Sequence, residues 1–130
     1  MDFNKDHLVV TCTITDSSEN GKPIKTPALI DCGATAIGFI DTNFAHTKSL
    51  TLIPLRLPKR IRVVDGRTSL SGPVTHYVSL NLSVSQHTER SVRFYVTQLG
   101  QYNLILGKPW LAEHNPLVDW GKNNVTFRTP

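Results

Sequence analysis

The chain has 130 residues, enough for one domain with its own core and too few for two. With 39% hydrophobic and 18% charged residues it has the make-up of an ordinary globular domain and not of a disordered tail. The formal charge of +4 is mild and spread out, so composition lends little weight to nucleic-acid binding, and no apolar run reaches the length of a membrane-spanning helix.

Two cysteines, Cys12 and Cys32, make no disulfide framework. There is no Cys-x-x-Cys. His7, His46, His76, His87 and His114 are scattered, without the short-spaced pairs that metal sites use. We therefore expect no metal and a reducing, intracellular setting. No signal peptide opens the chain. Met1 to Asp6 is polar and reads as a flexible start or as the cut end of a longer polyprotein.

His7 to Thr15 alternates, with Leu8, Val10, Cys12 and Ile14 on one face, which predicts a half-buried strand with Cys12 as a small core residue. Asn20-Gly21 is the strongest hairpin signal in the chain. Ile24 to Ile30 returns as the second strand; Pro23 and Pro27 place its early part at an edge or a strand start. Ala28, Leu29 and Ile30 are a buried run that enters the turn Asp31-Cys32-Gly33-Ala34-Thr35. A carboxylate at the exit of a buried strand is partly desolvated. That setting suits a catalytic acid, and equally a structural aspartate that caps its own turn.

Ala36 to Ile40 resumes an apolar strand. Asp41 offers an N-cap for a short helix from Thr42 to about Thr47. Leu50 to Leu57 is extended, interrupted by Pro54 and closed by Pro58. Lys59 to Val64, Asp65-Gly66 and Arg67 to Val74 read as a polar hairpin that buries little of itself, projects and moves. Tyr77 to Val84 alternates again. Ser85 to Arg90 reads as a polar turn, and Val92, Phe94 and Val96 mark the next strand. Asn103 to Gly107 is a second buried run ending in glycine. A short helix follows from Lys108 to His114, with Pro109 suited to its start and Asn115-Pro116 ending it. Leu117 to Trp120 and Val125 to Arg128 form a closing hairpin. About eight short, evenly spaced strands with two short helices predict a small closed or nearly closed β-barrel.

Three features then stand in order: Asp31-Cys32-Gly33-Ala34 after a buried strand, a polar hairpin about thirty residues on, and Ile105-Leu106-Gly107 running into a helix. Together with Lys108-Pro109-Trp110-Leu111, His114-Asn115-Pro116 and Val118-Asp119-Trp120, they resemble the retropepsins, the retroviral-type aspartic proteases. The match is closer to the protease domain of gypsy-type LTR retrotransposon polyproteins, and it covers about residues 8 to 128.

The resemblance implies an all-β fold: a closed barrel of the acid-protease type with one or two short helices, acting as a two-fold homodimer. Residues 1–130 form one domain, with a core of about 8–128 and a flap of about 60–76. Asp31 is then the catalytic residue of an aspartic endopeptidase, and Cys32, Gly33, Ala34 and Thr35 form its loop. Val64, Asp65, Gly66 and Arg67 belong to the substrate-covering flap. Ile105, Leu106 and Gly107 support the loop, and Cys32, Val125 and Phe127 face the partner subunit. The chemistry agrees with a dimer, because it needs two carboxylates sharing a proton and the chain carries Asp-x-Gly-Ala once. The implied partners are a second copy and a polypeptide, its own Gag-Pol polyprotein, with no cofactor, membrane or nucleic acid. The implied location is the cytoplasm or the interior of virus-like particles.

In one place the chain departs from the family. The residue after the acid is usually Ser or Thr, whose hydroxyl bonds across the dimer axis. Here it is Cys32, a poorer donor and acceptor. A domesticated, weak or silent dimerisation module is therefore one alternative. A basic β-barrel that binds nucleic acid through Arg56, Lys59, Arg60, Arg62 and Arg67 is another, although that stretch lacks interleaved aromatics for base stacking.

Overall fold

The structure is a computed structural model that describes residues 8–18, 21–31, 36–60, 73–85, 87–114, 117–119 and 124–126. Strand β1 (Leu8–Asp16) is followed by β2 (Ile24–Asp31), β3 (Gly38–Asp41), helix α1 (Thr42–Thr47), β4 (Ile53–Lys59), β5 (Val74–Val84) and β6 (His87–Thr97). After these come β7 (Leu104–Gly107), α2 (Lys108–His114), β8 (Leu117–Asp119) and β9 (Asn124–Thr126). The expected β-barrel is present.

Closure follows from the pairing. The ring runs β1, β2, β7, β3, β6, β5 and back to β1, with β4 added alongside β5. One edge of β5 is shared: its first residues, from Val74 to Tyr77, meet β4, and Leu80 to Val84 meet β1. Closing the sheet leaves no open edge around the ring. Two pairings are parallel, β2 with β7 and β3 with β6.

The burial pattern explains the sequence. On β1, Leu8, Val10, Cys12 and Ile14 point inward, as their alternation predicts. Ala28, Leu29 and Ile30 are all buried because β2 is covered on both faces. Ala28 and Ile30 join the main core, while Leu29 joins a second cluster with Phe39, Val74 and Ile105. Strand β7 divides the same way, with Leu104 and Leu106 inside and Ile105 in the second cluster. Two apolar layers thus clamp β2, β7 and β3 from both sides. Pro27 is tolerated because β7 joins β2 only from Ala28 onward.

Asp41 caps α1 as its sequence position predicts. Its backbone is extended (φ −68°, ψ 137°), and its Oδ2 accepts from the Phe44 N–H at 3.2 Å. Its Oδ1 also accepts from the Leu99 N–H at 3.0 Å, which fastens the turn after β6 to the helix start.

Two expectations need correction. The stretch Ser85 to Arg90 is not a polar turn, because β6 already begins at His87, paired with Val84. Ser85 takes a left-handed φ of 56° and makes the turn tight. The polar residues after it extend the hairpin as a ladder, which needs backbone pairing and no apolar side chains. A bulge then adds a residue on β6 opposite Leu80–Leu82. Ser91 lies in it at φ 55° and donates its N–H to Asn81 Oδ1 at 3.1 Å. Second, Pro58 does not close β4, which continues to Lys59. The register is irregular between Pro54 and Lys59, as an edge strand with two prolines permits.

Candidate active site

Asp31 is the last residue of β2, and its register partner is Gly107, the last residue of β7. The pairs Leu29 with Ile105 and Ile30 with Leu106 lead up to them. Parallel pairing brings the ends of both apolar runs to the same end of the barrel. It also joins Asp31 to the residues expected to support it: Ile105, Leu106 and Gly107 are all buried. Asp31 is half-buried, and its Oδ2 is shielded from solvent.

Gly107 also ties in β3, donating its N–H to the Ile37 carbonyl at 2.9 Å. Helix α2 starts at the next residue. It is anchored by Trp110, which is fully buried and donates Nε1–H to Glu89 Oε1 at 2.7 Å. His87 Nε2 lies 3.4 Å from the same oxygen. The hairpin tip of β6 therefore holds the helix that follows Gly107. This anchor is not legible in the sequence, where Glu89 falls within a stretch that reads as a polar turn. A large apolar residue with one polar atom was the available signal, since a buried indole N–H requires an acceptor.

The remaining expected residues stand as follows. Cys32, Gly33, Ala34 and Thr35 lie outside the described residues, as do the flap residues Val64, Asp65, Gly66 and Arg67, and Phe127. Val125 lies on β9, opposite Val118 in the closing hairpin. Cys12 is a core residue, as expected. Its Sγ–H donates to the Thr26 carbonyl at 3.4 Å, and burial pushes the thiol up to about 12. It stays protonated and inert at ordinary pH.

A groove of about 450 Å³ is lined in part by Ile37, the residue whose carbonyl accepts from Gly107. Ala36 and Ile37 form one wall; Glu89 to Arg93, Tyr95 and the exposed side of α2 form the others. Lys59 reaches over it from β4, donating Nζ–H to the Tyr95 hydroxyl at 2.8 Å. Among the described residues, no three of His, Cys, Asp and Glu gather as metal ligands would.

A closed six-stranded barrel with an acid at the end of one inner strand, a glycine paired beside it and a helix leading away is a retropepsin-like protease domain in fold. The chain belongs to the PEG10/RTL1 protease domain family, whose model matches residues 27–130. Among solved structures, the retroviral protease-like domain of Ddi1 from Leishmania major is similar at a TM-score of 0.54 and 20% identity. That match covers 94% of this chain and 93% of the other. EIAV protease complexed with the inhibitor HBY-793 is similar at a TM-score of 0.56 and 16% identity, covering 87% of this chain and 92% of the other. At these identities the two structures speak for the fold.

Proposed function

We propose that the chain is an aspartic endopeptidase that works as a homodimer, each subunit contributing one Asp31, and that it processes the retrotransposon-type polyprotein it belongs to. The observation that carries this reading is the placement of Asp31 opposite Gly107 at the end of paired inner strands. Family membership and the barrel fold support it. A two-fold axis beside Asp31 supplies the second carboxylate that one domain of this size lacks.

In this mechanism one carboxylate of the pair is charged and the other holds a proton, because like charges this close do not both ionise. The charged one takes a proton from water as the water oxygen attacks the scissile carbonyl carbon. The neutral one donates its proton to the carbonyl oxygen. The tetrahedral intermediate then collapses, the C–N bond breaks, and the amine leaves with a proton returned from the pair. The flap, about residues 60–76, covers the extended substrate and excludes water. The work is placed in a reducing, intracellular compartment.

The test is digestion of a candidate polyprotein, or of a peptide library, at mildly acidic pH beside an Asp31→Asn control. The unaltered protein cuts and the control does not, with the fold retained. Proteolysis by a well-purified Asp31→Asn sample at the unaltered rate rejects the reading. A protein that sediments as a dimer and cuts nothing is instead the silent module.

A further inference from the structure

We infer that the groove lined by Ile37 selects substrate segments with an acidic side chain about three residues from the bond that is cut, through the ammonium of Lys59. The inference rests on the proposed protease reading and adds a substrate class to it.

The position follows from the sheet. Asp31 on β2 pairs with Gly107 on β7, and Gly107 bonds to Ile37, the residue before β3. Two strand spacings of about 4.8 Å separate Asp31 from the Ile37 wall, and an extended peptide advances about 3.3 Å per residue. The groove therefore begins roughly three residues along a peptide that crosses the site at Asp31.

The sign follows from the lining. Lys59, Arg90 and Arg93 contribute three cations. None of them forms a salt bridge with a carboxylate among the described residues. Arg93 lies over the Tyr77 ring at 4.2 Å. The opposing carboxylates are Glu89 and Glu113. Glu89 is committed to the Trp110 indole and to His87.

Lys59 is the best-prepared of the cations. Its Nζ donates to Tyr95 OH and stands 5.0 Å from the centre of that ring. Tyr95 is in turn packed at 6.3 Å against Phe39, which is fully buried. One ammonium proton is used on Tyr95 and two remain for a carboxylate. A charge already held in place loses less side-chain freedom on binding than a free lysine does. Ile37, 36% exposed, offers the apolar stem of Asp or Glu a surface.

The test is a binding selection from a random peptide library on purified Asp31→Asn protein, repeated with Lys59→Glu and Lys59→Met added. Lys59 is exposed, and a melting curve confirms that each variant folds. The expected result is enrichment of Asp and Glu over Asn and Gln at one position, roughly two- to five-fold, the size of an exposed ion pair. The enrichment weakens in high salt. Lys59→Met abolishes it, and Lys59→Glu turns it toward Lys and Arg. No acidic enrichment, or one unchanged in Lys59→Glu, overturns the inference. So does a random RNA oligonucleotide that outcompetes the selected peptides in a Lys59-dependent way, since the groove would then serve nucleic acid. Cleavage of the same library by the unaltered protein separates the two readings. Cutting with no acidic preference overturns the groove inference alone. Acidic selection without any cutting overturns the protease and leaves the groove.

Discussion

Asp31 and Gly107 are register partners at the ends of parallel strands β2 and β7. The acid is therefore held by backbone pairing to a residue without a side chain, so nothing on β7 crowds the carboxylate at that level. In the proposed dimer, the two Asp31 carboxylates must together hold one proton and lose the other. The cleavage rate should then trace a bell on the acid side of neutral, both limbs belonging to the pair. Initial rates from pH 3 to pH 9 check this. A rate still rising above pH 8 would point to Cys32 as nucleophile instead.

Glu89→Ala should destabilise the domain by about 1–3 kcal/mol, because it leaves the buried Trp110 indole N–H without its acceptor. Glu89→Gln keeps an acceptor oxygen and should cost less. Denaturant melts of the two variants measure the difference. Since Trp110 anchors the helix that follows Gly107, Glu89→Ala should also lower activity at temperatures where the protein remains folded.

Gly38→Ala should be damaging despite its small size. A Cβ at this position would lie 2.6 Å from Phe94 Cδ2, and Phe94 is fully buried, with no room to swing away. Overpacking of this kind costs about 1–3 kcal/mol. Thermal melting should show a fall of several degrees. An unchanged midpoint would mean that β3 and β6 move apart more easily than their parallel pairing suggests.

Cys12 should be silent toward thiol reagents. With its thiol pushed up to about 12, it stays protonated at pH 8, and burial blocks access. In a Cys32→Ser background, a chromogenic disulfide reagent should detect a thiol only after unfolding. The linkage has a definite sign. The folded state holds this proton more tightly than the unfolded state does. The stabilisation is complete below about pH 9 and is lost as pH rises toward about 12.

Cys32 also sets a test of assembly. If the residue after the acid faces the dimer axis, Cys32→Ser restores a pair of hydroxyls. At roughly 0.5–1.5 kcal/mol per hydrogen bond, the dimer should tighten about ten-fold or more. Removing residues 124–130 should instead yield monomer, because it deletes β9, a terminal strand of the closing hairpin. Sedimentation of the three proteins decides both points. Equal dissociation constants would remove position 32 and the closing hairpin from the interface.

Local signals in the sequence determined most of the elements. The alternation of Leu8, Val10, Cys12 and Ile14 named the buried face of β1 because a strand's period of two is a property of the chain itself. Asp41 announced α1 because the capping bond, from the Phe44 N–H, closes within three residues of the chain. The runs Ala28–Ile30 and Leu104–Leu106 were legible as buried, and the motif around Asp31 pointed to the family. What no local signal carries is which distant strands meet. Only the tertiary structure set Asp31 opposite Gly107, since parallel pairing joins segments far apart in sequence. It alone turned His87 to Arg90 into strand, because cross-strand bonds to β5 hold residues that have no apolar periodicity. The same holds for Trp110 on Glu89 and for Lys59 on Tyr95. Each is a contact between side chains on different elements, and its existence depends on how the barrel closes.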